Sequence, residues 1–120
     1  MALATLAGLS LDCDDPAALA GFYSRLLGLE ISYTSDEFVY VGEMGSGLGF
    51  AKVDEYVPPT WPSADVPKQA HLECGVTDLD SGEAAILGIG ATKPEFQPMP
   101  DRWRVLLDPA GHPFCISVMA

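Results

Sequence analysis

The feature that most constrains this chain is that it repeats itself. Gly8-Leu-Ser-Leu-Asp-Cys-Asp-Asp15 and His71-Leu-Glu-Cys-Gly-Val-Thr-Asp78 both alternate as a half-buried strand does, and both end at an Asp suited to capping a helix. They lie 63 residues apart. Pro16 follows Asp15 and fits the first position of a helix, where a missing N–H costs nothing. Leu19, Phe22, Tyr23 and Leu26 then fall at i, i+3, i+4 and i+7, forming one apolar stripe, and Gly28 ends the helix. The second helix runs from Leu79 to Leu87 and stops at Gly88, with a weaker stripe of Leu79, Ile86 and Ile89 interrupted by Gly82 and Glu83. The endings Leu27-Gly28-Leu29 and Leu87-Gly88-Ile89 match at an offset of 60, which predicts a second helix shorter by about one turn.

Three strands are expected after each helix. In the first copy they run from Leu29 to Thr34, Phe38 to Glu43 and Leu48 to Val53. In the second they run from Ala91 to Phe96, Arg102 to Leu107 and Pro113 to Met119. The final strands also correspond, Gly47 to Ala51 with Gly111 to Cys115, at an offset of 64. Between the copies, Asp54 to Pro67 carries Pro58, Pro59, Pro62 and Pro67 with Tyr56 and Trp61. So many prolines exclude a helix or a central strand, and the stretch reads as a stiff crossing loop. Its aromatics are either core packing or a lid.

One such copy cannot hide both faces of its sheet. The expected fold is therefore α+β, two tandem β-α-β-β-β modules forming a curved, open barrel-like mixed sheet with a concave cleft for a small molecule. At 120 residues, one domain is expected. Its halves span about 3–53 and 68–119, joined by the loop at 54–67.

Six Lys and Arg against 17 Asp and Glu give a net charge of −11. Such a chain repels phosphate backbones and anionic membranes, which argues against nucleic-acid and membrane partners. No apolar run is long enough to span a bilayer, and Met1 to Leu6, apolar without a basic lead-in, reads as strand rather than as a signal peptide. Cys13, Cys74 and Cys115 are an odd number of thiols in strand-like stretches, as expected of reduced cysteines in the cytoplasm.

Asp15-Pro16, Phe22-Tyr23 and Leu27-Gly-Leu-Glu30 resemble the first half of the vicinal-oxygen-chelate superfamily, which includes glyoxalase I, extradiol dioxygenases and bleomycin-resistance proteins. Tyr56-Val-Pro-Pro-Thr-Trp61-Pro62, Gln69-Ala-His71-Leu-Glu73 and Asp108-Pro-Ala-Gly-His-Pro-Phe-Cys115 resemble a small glyoxalase-like subfamily. The likeness runs in order over almost the whole chain. It implies a homodimer. In metal-dependent members it also implies four ligands, on the first and fourth strands of each half. Carried over, those positions are Gly8, approximately Ala51, His71 and Cys115. Gly8 and Ala51 offer no donor, so no metal ligand set is assigned and no cofactor is expected. A divalent ion on His71, Glu73 and Cys115 stands as the alternative.

His71 is the leading site candidate, as an acid/base group or hydrogen-bond donor, or else as a polar residue satisfied by Glu73. Alternation puts Glu73 on the same face. Cys115 is a ligand contact, a nucleophile or inert packing. Phe38, Tyr40, Trp61 and Trp103 are candidate pocket walls or core. Arg102 and Arg104 face either an anion or surface acids, and His112 is expected to face solvent from a turn.

Three functions follow, in this order. The first is a metal-independent pocket protein that binds or sequesters a hydrophobic or aromatic molecule. The second is a lyase or isomerase using His71, with or without a divalent metal, on a small carbonyl compound. The third is an association module with a vestigial cleft.

Overall fold

Alternation decides which side of each strand is buried, and helix capping decides where each helix begins. Both act in the computed structural model, which describes residues 2–119. The chain divides into two compact units between Tyr56 and Val57. Most of the expected crossing loop therefore belongs to the second unit.

The first unit holds β1 (Leu9–Cys13), α1 (Pro16–Leu27), β2 (Ile31–Thr34), β3 (Phe38–Val41) and β4 (Leu48–Lys52). The sheet order is β1-β4-β3-β2, with β1 parallel to β4 and the other pairs antiparallel. Asp15 caps α1 through Oδ1, which accepts from the Ala18 N–H at 3.1 Å, and Gly28 closes it in the left-handed conformation. The stripe Leu19, Phe22 and Tyr23 is buried, as its spacing predicts, against β3 and β4. Tyr23 stacks on Phe50 with ring centroids 5.4 Å apart. Each such buried ring contributes roughly 1.5–3 kcal/mol over its exposed state.

The second unit holds β5 (Leu72–Val76), α2 (Leu79–Gly88), β6 (Trp103–Leu107) and β7 (Pro113–Val118), in the sheet order β5-β7-β6. β5 runs parallel to β7, and β6 antiparallel to it. Asp78 caps α2, accepting from the Ser81 N–H at 2.8 Å. Phe114, Ile116 and Leu106 are fully buried. The fold is the expected mixed α+β class, a β-α-β-β-β unit followed in tandem by a second copy reduced to β-α-β-β.

Three local expectations give way. Leu3 to Leu6 are exposed and form no strand, because the ladder of β1 with β4 starts at the pair Leu9 and Leu48. Met1 lies outside the described residues. The strand expected over 91–96 shrinks to one bridge, Thr92 with Leu107. Pro94 and Pro98 cannot donate to a ladder, and the Gln97 side chain takes over. Its amide nitrogen donates to the Val105 carbonyl at 2.9 Å, and its oxygen accepts from the Val105 N–H at 2.8 Å. Finally, α2 has 10 residues against 12 in α1, about half a turn less. Among the described residues no helix is long and apolar enough to cross a membrane.

Candidate active site

Residues two apart on a strand share a face, so the ladders dictate what meets on the side of the second sheet away from α2. β7 contributes Pro113, Cys115 and Ser117. β6 contributes Trp103 and Val105, paired with Ser117 and Cys115 respectively. β5 contributes Glu73, paired with Cys115, and His71 stands just before it. With Trp61 from the proline-rich segment and Lys68 just after it, these side chains line a cavity of about 410 Å³ within the second unit. That is room for a compact ring-bearing molecule.

His71 Nε2 lies 3.1 Å from Glu73 Oε1. A carboxylate only accepts, so Nε2 carries the hydrogen in this pair and Nδ1 is left as the basic nitrogen of a neutral ring. The donor atoms of His71, Glu73 and Cys115 lie within 4.8 Å of one another. The Cys115 thiol is pushed up by burial first and by the Glu73 carboxylate second, with Lys68 acting the other way. It is therefore a neutral S–H near neutral pH.

The first unit uses the matching face differently. Ser10 pairs with Gly49 as Glu73 pairs with Cys115, so the ladder puts Gly49, rather than Ala51, in the place of Cys115. A Cβ on Gly49 would come within 2.5 Å of the Phe38 ring, and one on Gly8 within 2.5 Å of the Tyr40 hydroxyl. The Tyr40 hydroxyl donates to the Ala7 carbonyl at 2.9 Å and accepts from the Gly47 N–H at 3.2 Å. The two first-half ligand positions are thus glycines covered by rings, and a four-ligand metal centre does not fit this chain. Phe38 and Tyr40 line a separate hollow of about 710 Å³ within the first unit.

The profile of the glyoxalase-like domain family matches residues 8–117. The chain belongs to this family. Several solved structures share the fold of this glyoxalase-like domain. A glyoxalase/bleomycin resistance protein/dioxygenase family enzyme of Burkholderia phytofirmans PsJN shares 20% identity over 98% of this chain and 100% of its own, with a TM-score of 0.69. A possible glyoxalase of Bacillus cereus shares 19% over 97% and 99%, with a TM-score of 0.68. The bleomycin-binding protein of Streptomyces verticillus, solved with copper(II)-bleomycin, shares 16% over 99% and 100%, with a TM-score of 0.58. No curated protein matches. The glyoxalase-like fold supports a small-molecule-binding or enzymatic role.

Of the residues singled out from the sequence of this glyoxalase-like domain, His71, Glu73, Cys115, Trp61 and Trp103 come together in the second unit, and Phe38 and Tyr40 line the hollow of the first. Arg104 turns to the helix side, 2.9 Å from Asp80 and 3.3 Å from Glu83. Arg102 is exposed. His112, expected in solvent, is half-buried in a turn organised by buried Asp108, whose Oδ1 accepts from the Ala110 and His112 N–H groups. Sequence reasoning missed Val105, Pro113 and Ser117, which a step of two from Trp103 and Cys115 would have found. It also missed Lys68, which sits in irregular chain and carries no periodic signal.

Proposed function

We propose that this glyoxalase-like domain is a metal-independent small-molecule pocket that binds or sequesters a hydrophobic, ring-bearing ligand in the cavity around His71. One observation carries the reading. Trp61, Trp103, Val105 and Pro113 supply apolar walls to a cavity in which three of the polar groups, His71, Glu73 and Cys115, gather in one cluster. Apolar walls with a few convergent polar groups are the usual make-up of a small-molecule site. One feature weighs against a dication on that cluster: the Lys68 ammonium lines the same cavity. Thermal-shift measurements with a panel of hydrophobic ligands, with and without chelator, test the reading. Ligands should raise Tm equally in both conditions. Stabilisation by a divalent ion alone, with none by any organic ligand, would overturn it.

The His71–Glu73 bond favours a second reading. A carboxylate that fixes one ring nitrogen leaves the other as a general base, the arrangement an isomerase or lyase needs to take a proton next to a carbonyl. Under this reading His71→Ala abolishes turnover of an identified carbonyl substrate while leaving its binding measurable. Full activity in that variant removes the role. The expected homodimer is checked by light scattering.

A further inference from the structure

We propose that the ligand of the second-unit cavity is an apolar, ring-bearing carboxylate whose charge is received by Lys68. The inference rests on the small-molecule reading above and adds the ligand's chemical class.

The first ground is how this acidic chain places its few cations. With 17 acids against six bases, a lysine or arginine has carboxylates in easy supply. Lys93 takes Glu83 at 3.1 Å, and Arg104 takes Asp80 and Glu83. Arg25, Lys52 and Arg102 are exposed, where water serves. Lys68 follows neither course. It is half-buried, it lines the cavity, and among the described residues it is in no ion pair. A cation kept from carboxylates inside a cavity is a cation available to what enters the cavity.

The second ground is the balance of donors and acceptors around it. Lys68 offers N–H donors, Ser117 an O–H and Cys115 an S–H, since its thiol stays protonated. Against these stand two acceptors, His71 Nδ1 and Glu73, and one Glu73 oxygen already accepts from His71 while that side chain is three-quarters exposed, where water screens its charge. A donor-rich polar end calls for a ligand head that accepts. The third ground is shape. Trp61 and Trp103 wall the same cavity, so the head must carry a flat apolar body. A carboxylate on a ring system meets all three conditions, whereas a neutral hydrocarbon leaves Lys68 unanswered and a cation meets it with like charge.

The test uses the full chain and two probes of one shape, 2-naphthoate and its neutral amide 2-naphthamide. Binding is followed by quenching of Trp61 and Trp103, the two tryptophans of the chain. The carboxylate should bind about tenfold more tightly than the amide, the return expected of one charge-assisted contact. That preference should shrink with added salt. In Lys68→Met it should vanish, with amide affinity within about twofold of the original, since one apolar stem replaces another. Lys68→Arg should keep it, and Tm of both variants reports folding. Equal binding of the two probes, or a preference that survives Lys68→Met, overturns the assignment of an anion and leaves the cavity reading intact. Binding of neither probe overturns both.

Discussion

In the first unit the sheet face turned away from the helix lines its hollow mainly with aromatic rings, whereas in the second the matching face gathers a cluster of polar groups. The ladders make the comparison position by position. Gly8 and Ser10 stand where His71 and Glu73 stand, Gly49 where Cys115 stands, and Phe38 where Trp103 stands. Small residues on β1 and β4 leave room that Phe38 and Tyr40 occupy, their rings 6.4 Å apart. On β5 and β7 the same places carry an imidazole, a carboxylate and a thiol. The helix-facing sides tell the opposite story, because each has buried apolar side chains at its centre, Val39, Val41 and Phe50 in the first and Leu106, Phe114 and Ile116 in the second. A duplicated fold is thus held to its pattern where burial demands it, and is free to diverge where only a ligand does.

The sharpest way to break that comparison is on the helix-facing side. Phe50 and Phe114 are both fully buried. Phe50→Ala and Phe114→Ala should each lower stability by about 3–5 kcal/mol in urea titrations, the usual cost of a ring-sized void. A loss in one half several times that in the other would show that the two cores are not equivalent.

The outer faces should respond unequally. Gly49→Ala drives a methyl into the Phe38 ring and the Ser10 hydroxyl, and should cost about 1–3 kcal/mol. Adding Phe38→Ala should return part of that loss, because the obstructing ring is gone. At the matching place in the second unit, Cys115→Ala only trims a half-buried thiol, and should cost less than about 1 kcal/mol. Equal costs at the two places would mean the second face is as closely packed around Cys115 as the first is around Gly49.

What the sequence made legible follows the same division. Asp15, Pro16, the Leu19-Phe22-Tyr23 stripe and Gly28 define α1 locally, and α1 forms as read. Strand alternation correctly separated Phe38 and Tyr40 from Val39 and Val41. It could not say which pair faces the helix, because both pairs are apolar; the valines do. His71 and Glu73 were legible as sharing a face because period two holds into β5, whereas Cys115 joins them through the pairing of β5 with β7. The register of the first copy was not. An offset of 64 taken from the Phe50 and Phe114 motifs pointed to Ala51, two residues from the place the hydrogen-bond ladder selects. A shift of two keeps a residue on the same face, so the pattern alone gives no warning.

The lost strand at 91–96 was hidden for a related reason: its backbone partner is a side chain. Gln97→Ala should leave the Val105 N–H and carbonyl unpaired beside the cavity wall, at a cost of about 1 kcal/mol. Hydrogen exchange at the Val105 amide should also quicken. An unchanged exchange rate would mean that water replaces the glutamine without loss, and that the second unit does not need a surrogate for its fourth strand.

The smallest expected effect concerns how the two helices start. α1 begins with a capping Asp15 and a buried proline, while α2 has Asp78 at its cap and no proline. The Ser81 N–H, and then the Ser81 side chain, hold the Asp78 carboxyl below its ordinary range. The ionised form is the one that bonds, so the folded pKa lies under the unfolded one. The contribution of the cap is complete above the unfolded value, about pH 4, and is lost as pH falls through the folded pKa. Asp78→Asn keeps an acceptor for Ser81 but has no proton to gain. Its Tm should therefore fall less steeply than that of the original chain in the acid limb, with little difference at neutral pH. Parallel acid limbs would place the acid sensitivity elsewhere among the 17 carboxylates. They would also leave α2 held mainly by the burial of Leu79 and Ile86 rather than by its cap.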